Sequence, residues 1–188
     1  MIEEFIIPKW PAPENIRAIQ TTRNGGISLR QFSSLNLSND VGDIEEHVKD
    51  NYKKLLNFLP SDPFWLNQIH SDKSEEIPSK KVLNCDASYT YNKKTVCAVR
   101  TADCLPIFLT NFDGSFVALI HAGWKGLLNG VIEKTINNIS SSSEIIVWLG
   151  PCIGQESFEV GNDVYDLFRN KDSNTKKAFK LLKNKYYL

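Results

Sequence analysis

The stretch Arg100-Thr-Ala-Asp-Cys-Leu-Pro-Ile-Phe-Leu-Thr-Asn-Phe-Asp-Gly-Ser-Phe-Val-Ala-Leu-Ile-His-Ala-Gly-Trp-Lys-Gly-Leu-Leu-Asn-Gly130 decides the fold. Two apolar runs, Leu105–Phe112 and Ser115–Ile120, flank Asp113-Gly114. Asp-Gly between such runs predicts a two-residue β-hairpin. With those residues as the loop, Phe112 faces Ser115 and His121 faces Pro106. Cys104 lies two residues beyond Pro106 on the same face, because strand side chains alternate. Cys104 and His121 are then diagonal neighbours, with Cα atoms roughly 7–8 Å apart and within reach of one ion. Pro106 has no N–H for the ladder, so pairing is expected to fray there. A thiol and an imidazole on one face suit a metal or a Cys–His catalytic pair. They also suit a plainer role, a small buried hydrophobe beside a hydrogen-bonded strand end. A one-residue bulge would separate them.

Ala122-Gly-Trp-Lys-Gly126 reads as a turn leading into a helix. Leu127, Leu128, Val131, Ile132, Ile136 and Ile139 follow at helical spacing. Free N–H groups at a helix start can hold an anion, and Lys125 would add charge. The Walker A spacing is absent.

Composition excludes several classes. The 188 residues suffice for one domain with a real core. Lys+Arg and Asp+Glu both number 22, so no basic field favours nucleic acid or an anionic membrane. The N-terminal Met-Ile-Glu-Glu-Phe-Ile-Ile-Pro lacks the features of a signal peptide, and no apolar run approaches the ~20 residues of a membrane span. Cytoplasmic residence is expected. Cys85, Cys97, Cys104 and Cys152 include no Cys-x-x-Cys pair, which favours reduced thiols.

Along the chain, Ile16–Thr22 reads as a strand and Arg23-Asn-Gly-Gly26 as a loop. Asp43 with Glu46 resembles a capping box, opening a helix that buries Val48, Tyr52, Leu55, Leu56 and Leu59. His47 lies in its first turn. Phe64–His70 reads as a strand presenting His70 at its end. Ser71–Lys81 reads as a charged loop, Asp86–Thr90 as a short strand or turn, and Thr95–Asp103 as a central strand. Glu144–Leu149 is a strand closed by Gly150-Pro151. Ser140–Ser143 reads as a loop. Asn162 caps a helix burying Val164, Tyr165, Leu167 and Phe168. Thr175–Lys185 reads as a basic amphipathic helix. These elements predict an α+β domain with a mixed sheet.

Six motifs stand in order: Thr21-Thr-Arg-Asn-Gly-Gly-Ile-Ser28, Ser34-Leu-Asn-Leu37, Trp65-Leu-Asn-Gln-Ile-His-Ser71, Thr101-Ala-Asp-Cys-Leu-Pro106, His121-Ala-Gly-Trp124 and Leu149-Gly-Pro-Cys-Ile-Gly154. On these motifs the sequence resembles the laccase-domain family. That family is also called the multicopper polyphenol oxidase or peptidoglycan-editing-factor family, and several members are described as purine nucleoside phosphorylases with adenosine deaminase activity. The resemblance covers nearly all of residues 1–188. It implies an α/β sandwich with a mixed sheet, resembling the cysteine-hydrolase-like fold, and His70, Cys104 and His121 as the ligands of one zinc. Two departures stand out. Family members often carry Asn-Arg where this chain has Asn51-Tyr52, and they usually continue past Tyr186-Tyr-Leu188.

Two imidazoles and a thiolate suit zinc, leaving a fourth position for water or substrate. Copper is the alternative. Blue copper adds a weak axial Met, and Met1 is the single methionine. A multicopper cluster needs many more than the three histidines present. Asp86 reads either as a catalytic or histidine-orienting carboxylate or as a turn aspartate. Asp103 should point away from Cys104, and Cys152 fits a buried small residue. Gly123, Lys125 and Gly126 are candidates to hold phosphate. Arg23 and Asn24 either reach substrate or only form their turn.

The first functional expectation is a zinc enzyme for phosphorolysis of adenosine or inosine and deamination of adenosine. The others are a peptidoglycan-editing hydrolase of muropeptide precursors, a copper polyphenol oxidase, and a non-enzymatic metal-binding partner protein. Expected partners are a purine nucleoside and phosphate, with no nucleic acid or membrane.

Overall fold

The computed structural model describes residues 5–141 and 143–188, so Met1–Glu4 of the N-terminal motif and Ser142 of the Ser140–Ser143 tract lie outside it. In chain order the elements are β1 (Phe5–Ile6), β2 (Gln20–Thr21), α1 (Glu45–Leu56), β3 (Pro63–Trp65), β4 (Ser74–Glu76), β5 (Ala87–Thr90), β6 (Val96–Ala98), β7 (Leu105–Asn111) and β8 (Val117–Ala122). Then come α2 (Trp124–Asn129), α3 (Val131–Asn138), β9 (Ile145–Leu149), β10 (Glu159–Val160), α4 (Asn162–Lys171), β11 (Lys180–Leu182) and β12 (Lys185–Tyr187).

The main sheet has the order β4-β5-β8-β7-β9, with β4 and β5 parallel and the other pairs antiparallel. Smaller sheets pair β1 with β2, β3 with β6, and β10-β12-β11. This is an α+β arrangement with a mixed sheet, as the element pattern predicted. Ile107, Leu109, Ala118 and Ile120 of the central strands join Val131 and Ile139 in the main core. Each large aliphatic buried there is worth roughly 1.5–3 kcal/mol. Leu66, Ile77, Leu83 and Cys85 form a second cluster, with Phe64, Cys97 and Val99 packed against it.

The hairpin forms in the expected register, with Pro106 opposite His121. Its loop is wider than two residues. Regular pairing stops at Thr110–Val117, and the Gly114 N–H donates to the Asn111 carbonyl at 3.0 Å with Gly114 at φ +59°. The Asn111 amide side chain takes over the turn, accepting from the Ser115 N–H and donating to the Ser115 hydroxyl. Pairing does not fray at Pro106 but runs on to Leu105–Ala122. The missing proline donor matters little, because the Pro106 carbonyl accepts from the Gly150 N–H and the His121 N–H donates to the Asp86 carbonyl.

Other expectations need correction. No turn spans Ala122–Gly126: Ala122 ends β8, Gly123 is the N-cap and α2 starts at once. The periodic run to Ile139 is two helices, broken where Gly130 adopts φ +89°. Asp43 does not cap α1, because its Oδ2 accepts from Ser28 Oγ and Asn36 Nδ2. The buried stripe of α1 is Val48, Asn51 and Leu55, with Tyr52 half-buried against Trp65. Ile16–Thr22 contributes only β2, and Thr95–Asp103 only the short β6, paired with β3 outside the main sheet. The charged Ser71–Lys81 stretch contains β4, an edge strand, where charged side chains can stay in solvent. Gly161, not Asn162, is the N-cap of α4, which buries only Val164. Thr175–Lys185 is not a helix. A 3-10 turn over Ser173–Ala178 leads into the β11–β12 hairpin, whose turn residues Lys183 and Asn184 both have positive φ.

Candidate metal centre

Three segments converge at the end of the main sheet. β8 supplies His121, and Cys104 stands one residue before β7, placed by the same ladder. His70 is not a strand terminus as expected. It lies five residues beyond β3, in a bend with φ +56°, a conformation uncommon for any residue but glycine. The donor atoms of His70, Cys104 and His121 all lie within 4.8 Å of one another. The two imidazole rings meet edge to face with centroids 4.8 Å apart. His121 is buried, Cys104 half-buried and His70 exposed, so the cluster opens to solvent on the His70 side.

Asp86 organises this cluster. It is fully buried. The β5–β8 register continued by one residue sets it opposite His121. Its Oδ1 accepts from His121 Nδ1 at 2.8 Å and from the His70 N–H at 3.0 Å. Its Oδ2 accepts from the Ser71 N–H at 2.5 Å, Ser71 Oγ at 2.7 Å and the Ile69 N–H at 3.3 Å. Burial opposes ionisation of Asp86, but these donors outweigh it and hold the carboxyl down at about 2. Burial likewise opposes charging of His121, and Asp86 and Cys104 outweigh it, lifting the imidazole to about 9. With Nδ1 on Asp86, His121 turns Nε2 toward the other two donors. A carboxylate behind a histidine is the usual support of a metal-ligating imidazole.

The residues present fit a single ion of the zinc type. Zinc bonds of about 2.0–2.3 Å in tetrahedral geometry place donors roughly 3.3–3.8 Å apart, a small inward movement from the observed spacing. Gly123 gives the space. A Cβ there would lie 3.0 Å from His70 Cδ2 and 3.1 Å from Cys104 Sγ. Its φ of −73° suits any residue, so room rather than backbone conformation demands glycine.

The other candidates are placed as follows. Gly126 is buried in the first turn of α2, close against the Ser71 carbonyl, and α2 has no side-chain cap. Lys125 is exposed, its Nζ 5.6 Å from the Trp124 ring centroid. Arg23 braces its own loop, with Nε donating to the Ser33 carbonyl and the terminal amine to the Gln31 carbonyl. Asn24 is exposed, and its N–H donates to Thr22 Oγ1. Asp103 is exposed as a side chain, while its carbonyl accepts from the Ile153 N–H. Cys152 is exposed, not buried, and all four thiols are free.

Ser71 and Gln68 beside the site, and Asn51 in the 27–36 region, carry structure without having been assigned a role from sequence. Asn51 is fully buried: its Oδ1 accepts from the Ile27 N–H, and its Nδ2 donates to Ser28 Oγ and to the Ser34 and Asn36 carbonyls. A polar residue on the inner stripe of α1 was the available signal. Among the described residues no helix is long and apolar enough to cross a membrane.

Comparison with known proteins identifies relatives of the whole chain. A family model described as multi-copper polyphenol oxidoreductase laccase matches residues 17–188. A purine nucleoside phosphorylase of Escherichia coli (strain K12) is 42% identical over 183 residues, covering 95% of this chain and 75% of the relative. One from Haemophilus influenzae is 44% identical over 180 residues, covering 94% and 74%. The crystal structure of a Neisseria meningitidis protein superposes with a TM-score of 0.92 at 38% identity, covering 98% of this chain and 78% of that one.

Proposed function

The chain belongs to the multi-copper polyphenol oxidoreductase laccase family, and we propose that it is a zinc-dependent enzyme that cleaves purine nucleosides with phosphate. The observation that carries this is the convergence of His70, Cys104 and His121 on one point, with Asp86 buried behind it. Relatives at 42–44% identity bear the name purine nucleoside phosphorylase, which supports the reaction class.

His70, Cys104 and His121 would hold the ion. When bound, zinc supplies a Lewis acid with an open fourth position. Asp86 fixes His121 with Nε2 free to ligate and anchors the backbone of His70. Gly123 keeps the space between the ligands clear. Lys125 is an exposed cation at the start of α2, where it would draw phosphate toward the site. Arg23 and Asn24, if they touch substrate, do so from a loop already braced by Arg23. The same open ligand position favours adenosine deamination as a second activity. Copper is the weaker choice of metal. Met1 is the single methionine that could serve as a weak axial ligand, and three histidines are too few for a multicopper cluster.

Protein purified without added metal is expected to carry about one zinc per chain by native mass spectrometry, and Cys104→Ser or His121→Ala to lose it. Adenosine or inosine with phosphate should yield free base and ribose 1-phosphate. Lys125→Ala should raise the apparent KM for phosphate by up to about tenfold, as for one cation beside an anion at a helix start. Ammonia release from adenosine reports deamination separately. Absence of any zinc affinity, or nucleoside cleavage that ignores phosphate, sinks the proposal. Turnover of a muropeptide precursor or a polyphenol in place of nucleoside replaces it.

A further inference from the structure

Each pair of the three ligand-bearing segments needs a connection if their donors are to stay within 4.8 Å. Cys104 and His121 are tied by the β7–β8 ladder, through Pro106 opposite His121. His70 and His121 are tied through Asp86 Oδ1, which accepts from the backbone of one and the ring of the other. The third side, from His70 to Cys104, crosses two stretches without regular sheet pairing, 66–71 and 99–104, apart from one isolated bridge at Asn67.

We infer that the Gln68 side chain closes this third side and is a positioning residue for the metal centre. Its Nε2 donates to the Arg100 carbonyl at 2.8 Å, and its Oε1 accepts from the Arg100 N–H at 2.7 Å. One primary amide thus satisfies both backbone groups of one residue, as a neighbouring strand would. Gln68 stands two residues before His70, and Arg100 four before Cys104. The clamp is itself anchored. The Arg100 guanidinium lies over the Trp65 ring at 4.2 Å, and its Nε donates to the Leu37 carbonyl at 3.0 Å. Cys104 has another backbone neighbour, the Ile153 N–H on the Asp103 carbonyl, but that bond leads to the loop after β9 and not to His70. His70 is exposed and its φ is positive, so it depends on its tethers more than a strand residue would. Gln68 ties its segment to the stretch that carries Cys104, and Asp86 ties it to His121.

The inference rests on the metal reading above, and the experiment separates the two. Zinc affinity of the folded, full-length protein is measured by competition with a chromogenic chelator for wild type, Gln68→Met, Gln68→Glu and Thr135→Val. Methionine keeps the size and removes both hydrogen bonds. Glutamate keeps the acceptor for the Arg100 N–H and removes the donor. Thr135→Val deletes a buried hydrogen bond to the Val131 carbonyl inside α3 and controls for lost stability alone. Gln68→Met is expected to weaken zinc binding roughly tenfold, the low end for residues that support metal ligands. Gln68→Glu should fall between it and wild type, and Thr135→Val should match wild type. Wild type that binds zinc together with Gln68 variants that bind it equally well overturns the positioning role and leaves the metal reading standing. Equal weakening by Thr135→Val also overturns it, because general destabilisation then explains the effect. Wild type without zinc affinity overturns both.

Discussion

Replacing Asp86 with asparagine tests the central electrostatic arrangement of the site. The carboxylate accepts from five donors: His121 Nδ1, Ser71 Oγ and the N–H groups of Ile69, His70 and Ser71. Asparagine keeps one acceptor and turns the other into a donor. With its NH2 at the Oδ2 position, the Ser71 hydroxyl can rotate to accept, but the N–H groups of Ile69 and Ser71 lose their partner. With its NH2 at the Oδ1 position, the N–H of His70 is orphaned, and His121, no longer held as a cation by a carboxylate, gives up its Nδ1 proton so that Nδ1 accepts. Each orphaned buried donor costs about 1–3 kcal/mol, so the second arrangement is preferred. His121 is then neutral with its single proton on Nε2, so ligation there requires that proton to move to Nδ1, which would face the Asn NH2, whereas the wild-type ring releases its Nε2 proton and keeps Nδ1–H on Asp86. Metal-free Asp86→Asn is therefore expected to lose on the order of 3 kcal/mol, from one orphaned donor and weaker, uncharged hydrogen bonds. The depression of the carboxyl from its ordinary 3.8 to about 2 agrees in size, corresponding to roughly 2–3 kcal/mol in favour of the carboxylate. Because the folded value is the lower one, this contribution is full above pH ~4 and fades as pH falls toward 2. Urea unfolding of the metal-free proteins at pH 7 measures the loss. Chelator competition should show zinc affinity reduced about 10–100-fold. An Asn variant that holds zinc within twofold of wild type would refute the tautomer argument.

Three further outcomes are expected. Gly123→Ala puts a methyl against His70 and Cys104, so zinc affinity should fall by at least about tenfold while the urea midpoint of the metal-free protein stays near that of wild type. Asn51→Ala removes the partner of one N–H, one hydroxyl and two carbonyls; a loss of about 3 kcal/mol in urea unfolding is expected, and a change below ~1 kcal/mol would contradict the structural role of the Asn51 amide. Burial pushes the Cys85 thiol up to about 11 and Cys97 up to about 12. Iodoacetamide at pH 8 should therefore modify exposed Cys152 first, with Cys104 protected by added zinc and the other two reacting only on unfolding, as mass spectrometry would read.

The sequence by itself determined the hairpin register, and with it the neighbourhood of Cys104 and His121. That information is local: two apolar runs, Asp113-Gly114 between them, and strict alternation of side chains. Register survived a loop wider than two residues because Asn111 and Gly114 absorbed the extra length without shifting either strand. The third member of the cluster, His70, was legible as a partner of the other two only through family resemblance, since nothing within Phe64–Ser71 places its ring beside β8. Tertiary structure decided the rest. Asp86 meets His121 because β5 pairs with β8, a partnership between segments about thirty residues apart that no local pattern encodes. The break at Gly130 and the β11–β12 hairpin show the reverse failure. Helical periodicity in Leu127–Ile139 and Thr175–Lys185 was real or apparent in the sequence, but left-handed backbone at Gly130, Lys183 and Asn184 set where the chain turned. Gln68 and Asn51 are ordinary polar residues on paper. Their amides matter because the fold brings each one to backbone groups that no strand or helix satisfies.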